Sequence, residues 1–413
     1  MLSRGVSASP LLCLCLYGFL SLSEASAGPL TLGQAVALAL ERSPVLVSLE
    51  AGVARAQAQA RNDARFFQTN PELSAAAGPR LRDGGNTLEL GVGLSQQVEL
   101  FGQPSARKEA ARALVTASEA QLRTRRVELV AEVRTAFARA RAAGQEVRLA
   151  EDARTLAAEA LSAAEERLEA GAASRLEVNT ARVEAGRAAR EHNRAVFRHA
   201  SALNALGLLI GLDEAVEIHA QDTPLPDNPP ALSLPTLLGQ ALRDRADLQS
   251  ARAELEASQA QQRLSQRAAL PSPRAGVSYG REEEAHIVQG TLSIELPVFD
   301  RNQAGRGTSA ARVTEAARTL EAVERLARAE VRLALVRYQT AEASLRLFGE
   351  NAQQSLQENL ALATEGYRAG KMDFLELLVI RRETLEARRD HIEAMEEFGT
   401  AQAQLQRVIG SLP

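Results

Sequence analysis

The chain has 413 residues, is rich in Ala, Leu, Glu, Arg and Gln, lacks tryptophan, and is 24% charged but only 3% aromatic. That balance suits long helices packed on small side chains better than a globular core built on large rings. A net charge of −4 argues against nucleic acid, whose phosphates call for a concentrated basic surface.

Residues 1–27 read as an export signal: Arg4, an apolar run from Leu11 to Leu20, then Ala25-Ser26-Ala27 at the cleavage positions. Both cysteines, Cys13 and Cys15, lie in that run. Cleavage after Ala27 leaves no disulfide framework and no thiolate chemistry; the rival reading makes one cysteine a lipid attachment site. Past Ala27 no apolar run reaches the roughly 18 residues of a transmembrane helix. Any membrane-spanning part must therefore be made of strands.

The remainder repeats once. "LTLGQAVALALERSPVL" from Leu30 is echoed by "LSLPTLLGQALRDRADL" from Leu232, about 200 positions on, and both halves close on Ile-Gly, at Gly211 and Gly410. The expected organisation is a first repeat over 28–221, a proline-rich linker over 222–235, and a second repeat over 236–413. Each half should run short helix, helix, two strands, two long helices. Asn70-Pro71 and Leu270-Pro271 are expected to stop the helices that precede the strands.

A first β-hairpin is expected near 71–100, with Leu88, Leu90, Val92 and Leu94 alternating onto one face. A second is expected near 272–299, with Ile287, Leu292, Ile294 and Leu296 sharing a face and a slip around Gly290. Long helical hairpins follow over 104–211 and 304–410. From Pro104 to Leu168 no proline interrupts a stripe of Val115, Leu122, Leu129, Val133, Val147, Leu161 and Leu168. Such a helix would reach about 100 Å at ~1.5 Å per residue and needs partners along its length. Gly171 and Gly370 fit left-handed helix stops, and Ser174 and Asp373 are natural N-caps for the returning helices.

Two hairpins give four strands, too few to close a barrel, and open edges in an exported chain invite aggregation. Three copies would supply twelve strands around a lumen. A coiled-coil adaptor or scaffold protein is the alternative from another class, though such chains usually show one hairpin with compact β-rich flanks.

With the twofold repeat, the hairpin positions and the glycine tips in place, the chain resembles the TolC family of outer-membrane efflux proteins over essentially its whole length after residue 27. The resemblance implies a mainly α fold with a small β part. Long antiparallel hairpins would form an α-barrel, and four strands per protomer would enter a trimeric twelve-stranded β-barrel in the outer membrane of a Gram-negative bacterium. It also implies a homotrimer in outer-membrane lipid that docks a periplasmic adaptor and, through it, an inner-membrane RND pump. "QQVELFGQPSAR" (Gln96 to Arg107) and "LPVFDRNQAGR" (Leu296 to Arg306) are similar to the CzcC-type branch, which implies export of metal cations such as cobalt, zinc, cadmium or copper. Multidrug efflux and type I protein secretion are the alternatives within the family.

By the same resemblance Arg167, Gly171, Ser174 and Leu176, with Tyr367, Gly370, Asp373 and Leu375, would form adaptor-docking tips. Helix capping alone also explains the Gly, Ser and Asp among them. Glu376 aligns with an acidic position that rings the closed aperture in the family, and Glu177 is its counterpart in the first half. Val379 departs from the pattern, since the family has a second acidic residue there. Three copies of Glu376 would favour cations. A solvated charge paired with a helix neighbour is the plainer reading.

No metal-ligand set is expected. His192 and His199 share a helix without a third ligand, and Glu282, Glu283, Glu284 and His286 read as an exposed turn. No cofactor is called for. "GVGLSQ" (Gly91 to Gln96) lacks the third glycine of a dinucleotide turn, and no catalytic constellation is visible, so the chain is not expected to be an enzyme.

Overall fold

The computed structural model describes residues 30–80, 87–212, 217–218, 233–282, 285–347 and 350–410. The export signal with both cysteines, the linker up to residue 232, the first strand turn over 81–86, and Glu283 and Glu284 lie outside the described residues.

The first half runs α1 (Leu32–Arg42), α2 (Pro44–Asp63), β1 (Glu72–Arg80), β2 (Thr87–Gln97), α3 (Gln103–Glu169) and α4 (Arg175–Ile210). The second runs α5 (Leu234–Asp244), α6 (Ala246–Arg267), β3 (Arg274–Glu282), β4 (Ala285–Ser293), α7 (Gln303–Leu347), α8 (Glu350–Arg368) and α9 (Phe374–Ile409). In the second hairpin, expected over 304–410, the outgoing rod is described as α7 and α8, which flank residues 348 and 349, outside the described set. The end of the proline-rich segment already belongs to α5, which Ser233 caps by accepting the N–H of Thr236.

α2 and α6 stop earlier than Asn70-Pro71 and Leu270-Pro271 suggest, at Asp63 and Arg267. Side chains bond the backbone carbonyls at and beyond these ends. Gln68 Nε2 donates to the carbonyls of Asn62 (3.2 Å) and Arg65 (3.0 Å). Beyond α6, Asn302 Nδ2 donates to Ser265 O (2.9 Å) and Gln103 Nε2 to Leu270 O (3.4 Å). Carbonyls left over at a helix end are satisfied in this way.

The strands form one antiparallel sheet in the order β1-β2-β3-β4. Its register sets Leu73 opposite Leu94, Val92 opposite Tyr279, Leu94 opposite Val277, and Tyr279 opposite Val288. Residues directly opposite share a face. One face therefore carries Leu73, Leu88, Leu90, Val92, Leu94, Val277, Tyr279, Val288 and Leu292, each at least 44% exposed. The other carries Ser74, Gly78, Gly91, Gly93, Ser95, Gly276, Ser278, Gly280 and Thr291. Among the described residues nothing covers the apolar face, and β1 and β4 each keep an edge with no strand beside it. No described helix is long and apolar enough to cross a membrane.

The second strand pair corrects the expected pattern. β4 ends at Ser293, so Ile294 and Leu296 lie past it. Ile287 sits opposite Gly280 on the polar face, and Val288 takes its place among the apolar residues.

Each strand pair passes to its long helix through the same joint. Gly102 (φ 83°) and Asn302 (φ 56°) are both left-handed. Just beyond them Gln103 Oε1 accepts the N–H of Phe101 (2.8 Å) and Gln303 Oε1 accepts that of Arg301 (2.9 Å). In the first joint Arg107 adds a two-oxygen contact to Glu99 (2.9 and 2.7 Å). The two segments singled out by sequence are these joints.

α3 is 67 residues long, about 100 Å of rod at ~1.5 Å per residue. It packs against α4 and α9, and against α2 and α6. Leu122, Leu129 and Val133 of the expected stripe are buried, while Val115, Val147, Leu161 and Leu168 are half-buried. Much of the contact is made by alanine, including Ala117, Ala120, Ala140, Ala157 and Ala164. Side chains this small let helix axes approach closely.

Where the short helices meet the rods, each half has an apolar cluster. The first is centred on Leu46, Leu129, Leu206 and Ile210, the second on Leu237, Val331, Phe398 and Val408. The second also holds an ion cluster. Arg245, 3% exposed, reaches Asp247 (2.6 Å) and Glu330 (2.8 Å), and Arg407 reaches Glu330 (3.4 Å). Burial alone would raise the Asp247 carboxyl, but the hydrogen bonds from Arg245 outweigh it and hold the group below the usual carboxylate range.

Replacing Asp247 with Asn should cost about 1–3 kcal/mol, read as faster amide hydrogen exchange in α5 and α6. Because its folded pKa is depressed, the carboxylate's contribution is complete above its ordinary value of about 4 and is lost as pH falls through the folded one. The difference between wild type and D247N should then close on acidification. A difference that stays constant through that range would contradict the assignment.

Candidate functional site

The far ends of the two long hairpins lie side by side and are built alike. At the first, Gly171 (φ 73°) ends α3, with Ala172 N–H bonding Arg167 O (2.7 Å) and Gly171 N–H bonding Leu168 O (3.0 Å). At the second, Gly370 (φ 72°) ends α8, with Lys371 N–H on Gly366 O (2.8 Å) and Gly370 N–H on Tyr367 O (3.0 Å). Both are glycine stops with paired 6→1 and 5→2 bonds. The returning helices are capped as the sequence suggests. Ser174 accepts the N–H of Glu177 (3.2 Å). Asp373 accepts that of Glu376 (2.8 Å), and Glu376 Oε2 accepts the N–H of Asp373 (3.3 Å), a reciprocal capping box.

What joins the tips is a contact between residues about 200 positions apart. Tyr367 is 1% exposed, packed with Ala164, Val178, Ala181, Ala363, Phe374 and Leu377. Its hydroxyl donates to Glu177 Oε1 (2.7 Å). Arg167 lies 4.8 Å from the Tyr367 ring centre and donates to Tyr367 O (3.0 Å) and Ala172 O (3.2 Å). A ring face and a carbonyl together suit a guanidinium. Arg368 adds an ion pair to Glu159 (3.2 Å). Burial pushes the Tyr367 phenol up, and Glu177 pushes it further.

The residues named from sequence thus divide. Arg167, Tyr367 and Glu177 meet in one buried contact between hairpins. Gly171, Ser174, Gly370, Asp373 and Glu376 form the two turns. Leu176 and Leu375 hold equivalent places one residue before the two glutamates and are 76% and 67% exposed. Glu177 is half-buried and engaged; Glu376 is exposed, its carboxylate on the cap. The hydroxyl-to-carboxylate link was not legible in the sequence, because nothing local pairs position 177 with 367.

The histidines do not act together. His192 contacts Glu151 (3.2 Å), while His199 Nε2 lies where a Cβ on Gly144 would come within 3.2 Å. Burial, and then Arg148, lowers the His199 pKa. His286 meets the Tyr279 hydroxyl (2.5 Å) on the sheet. Among the described residues no group of three or more His, Cys, Asp and Glu could hold a metal ion.

Comparison with known proteins bears on both halves. The family described as outer membrane efflux protein matches residues 35–212 and 237–411. The cobalt-zinc-cadmium resistance protein CzcC of Cupriavidus metallidurans is 27% identical over 396 residues, covering 93% of this chain and 91% of CzcC. The fold is similar to the outer-membrane channel OprN (TM-score 0.77, 23% identity, 92% of this chain and 90% of that one). It is also similar to CusC, described through its transmembrane channel formation (0.72, 24%, 92% and 92%), and to the outer membrane protein VceC of Vibrio cholerae (0.75, 22%, 92% and 96%).

Replacing Tyr367 with Phe removes one buried bond to a carboxylate and should cost about 1.5–3 kcal/mol, seen as faster hydrogen exchange over 163–181 and 360–377. The raised phenol pKa means this contribution is complete below the ordinary tyrosine value of about 10 and fades as pH rises through the folded one. Unchanged exchange in Y367F at neutral pH would show that the tips are held by packing alone.

Proposed function

The chain belongs to the outer membrane efflux protein family, and from that premise we propose that it is the outer-membrane duct of an assembly exporting heavy-metal cations. It is an efflux channel of the outer membrane and not an enzyme. The coiled-coil adaptor reading falls with the family match, which spans both halves. Metal export rests on the similarity to the cobalt-zinc-cadmium resistance protein over nearly the full length of both chains.

Three copies about one axis complete the sheet. The free edges of β1 and β4 pair between neighbours, the apolar face meets lipid, and the glycine- and serine-rich face surrounds the lumen. The rods continue the bore into the periplasm. There the turns at Gly171 and Gly370 meet the adaptor, which links the duct to an inner-membrane RND pump. The exposed Leu176 and Leu375 give each tip the same apolar contact, with Arg167, Ser174, Tyr367 and Asp373 fixing its shape. A passive conduit holds no cargo tightly, since tight binding would slow release.

At the closed end, Glu376 of three copies forms an acidic ring that focuses field on cations. Glu177 supports it from behind, engaged with Tyr367. Val379, one turn further and 54% exposed, leaves the ring single. Gln at this capping position keeps most of the cap, so replacing Glu376 with Gln isolates the charge. Single-channel recordings of E376Q should show lower cation selectivity; an unchanged reversal potential would remove Glu376 from the pore.

Deletion of the gene should sensitise its host to one or more of zinc, cobalt, cadmium and copper, with tolerance restored by the cloned gene. Sensitivity to a dye and a detergent alone would keep the duct and move it to multidrug efflux.

A further inference from the structure

Above the tips, α3, α4 and α9 enclose a cleft of about 520 Å³, within the range of about 300–1,000 Å³ typical of small-molecule sites. Its floor is apolar, with Leu149, Ala150, Ala153, Leu378 and Leu385 along it. Its walls hold five arginines and four glutamates. The glutamates are all paired with four of those arginines. Glu184 meets Arg187 (2.7 Å), Glu146 meets Arg198 (2.9 Å), Glu386 meets Arg382 (2.9 Å), and Glu191 meets both Arg198 (3.1 Å) and Arg389 (3.9 Å).

The fifth arginine, Arg381, is left over. It is the most enclosed of the set, at 7% exposed. Its guanidinium donates to Ala153 O (3.3 Å), while Nε has no hydrogen-bond partner. Among the described residues no carboxylate comes within ion-pair distance of it. Burial works against its charge, and Glu184 and Glu159 offset this only from further away. A buried cation left unpaired is costly, and a planar guanidinium is matched in shape to a carboxylate.

We propose that this cleft binds an amphiphilic organic monoanion, with its carboxylate on Arg381 and its aliphatic body along the apolar floor. The unpaired charge of Arg381 sets the ligand's charge at minus one, and its depth sets the head group inward. A bound ligand would bridge α4 and α9 across α3, close above the contact that joins the tips. The site is independent of which cargo the duct carries.

The test uses the full-length protein in lipid nanodiscs and equilibrium dialysis of radiolabelled octanoate, with binding to empty discs subtracted. Saturable binding that octanol and octylammonium fail to displace is expected. Arg381→Gln should weaken it about tenfold or more, the loss of one charged hydrogen-bonding group. Arg318→Gln, which removes an exposed and already paired arginine of α7 outside the cleft, should leave it unchanged. Ala188→Trp narrows the cleft from α4 with Arg381 intact and should also abolish binding, so the result does not depend on how well R381Q folds. No saturable binding, equal displacement by octanol, or wild-type affinity in both R381Q and A188W would overturn the proposal.

Discussion

A four-stranded sheet with one apolar face and two open edges cannot be completed by the chain that makes it. Among the described residues nothing lies over Leu73, Leu90, Val92, Val277 and Val288, and the outer edges of β1 and β4 have no strand beside them. In water this surface would be a template for aggregation. In a bilayer it is a wall, provided that the edges close. The rest of the molecule follows from that condition. Rods must leave the sheet along its perimeter, a joint must turn each strand into a rod, and the rods must pack laterally as the strands do.

The joints and the tips solve related problems by different means. At Gly102 and Asn302 a left-handed residue followed by a glutamine clamp turns the chain once, and the rest of the fold inherits that direction. At Gly171 and Gly370 a left-handed glycine reverses it. The joints are tied to α2 and α6 by side-chain bonds. The tips are tied to each other through Tyr367, Glu177 and Arg167 and through the Arg368–Glu159 pair. An end held by a few local contacts opens more easily than one held by a broad interface.

Sequence reading succeeded where the physical signal is local. Leu88 to Leu94 alternates with period two, so its face was legible, and Ser174 and Asp373 announce their caps by residue type. It failed where a distant group decides. The period of β4 is interrupted at Gly290, and only pairing with β3 reveals that Val288, not Ile287, shares the apolar face. Past the end of α2, Gln68 folds back on the carbonyls of Asn62 and Arg65, a contact that no helix propensity encodes. The Tyr367 contact and the isolation of Arg381 both depend on helices from different halves meeting, and no window along the chain contains both partners.

The alanine seam of α3 has a consequence for how the molecule yields. Each buried methyl contributes little, so cohesion is spread thinly along the rod, with larger side chains concentrated near Leu129 and Val133 and again near Tyr367. Unfolding of such a rod has no single point of failure. Between these stations the wall is held by many small contacts, with Ala142, Leu149 and Ile392 as an intermediate cluster. A wall of that kind can change diameter without breaking any single strong interaction, as a woven sleeve widens when its ends are turned.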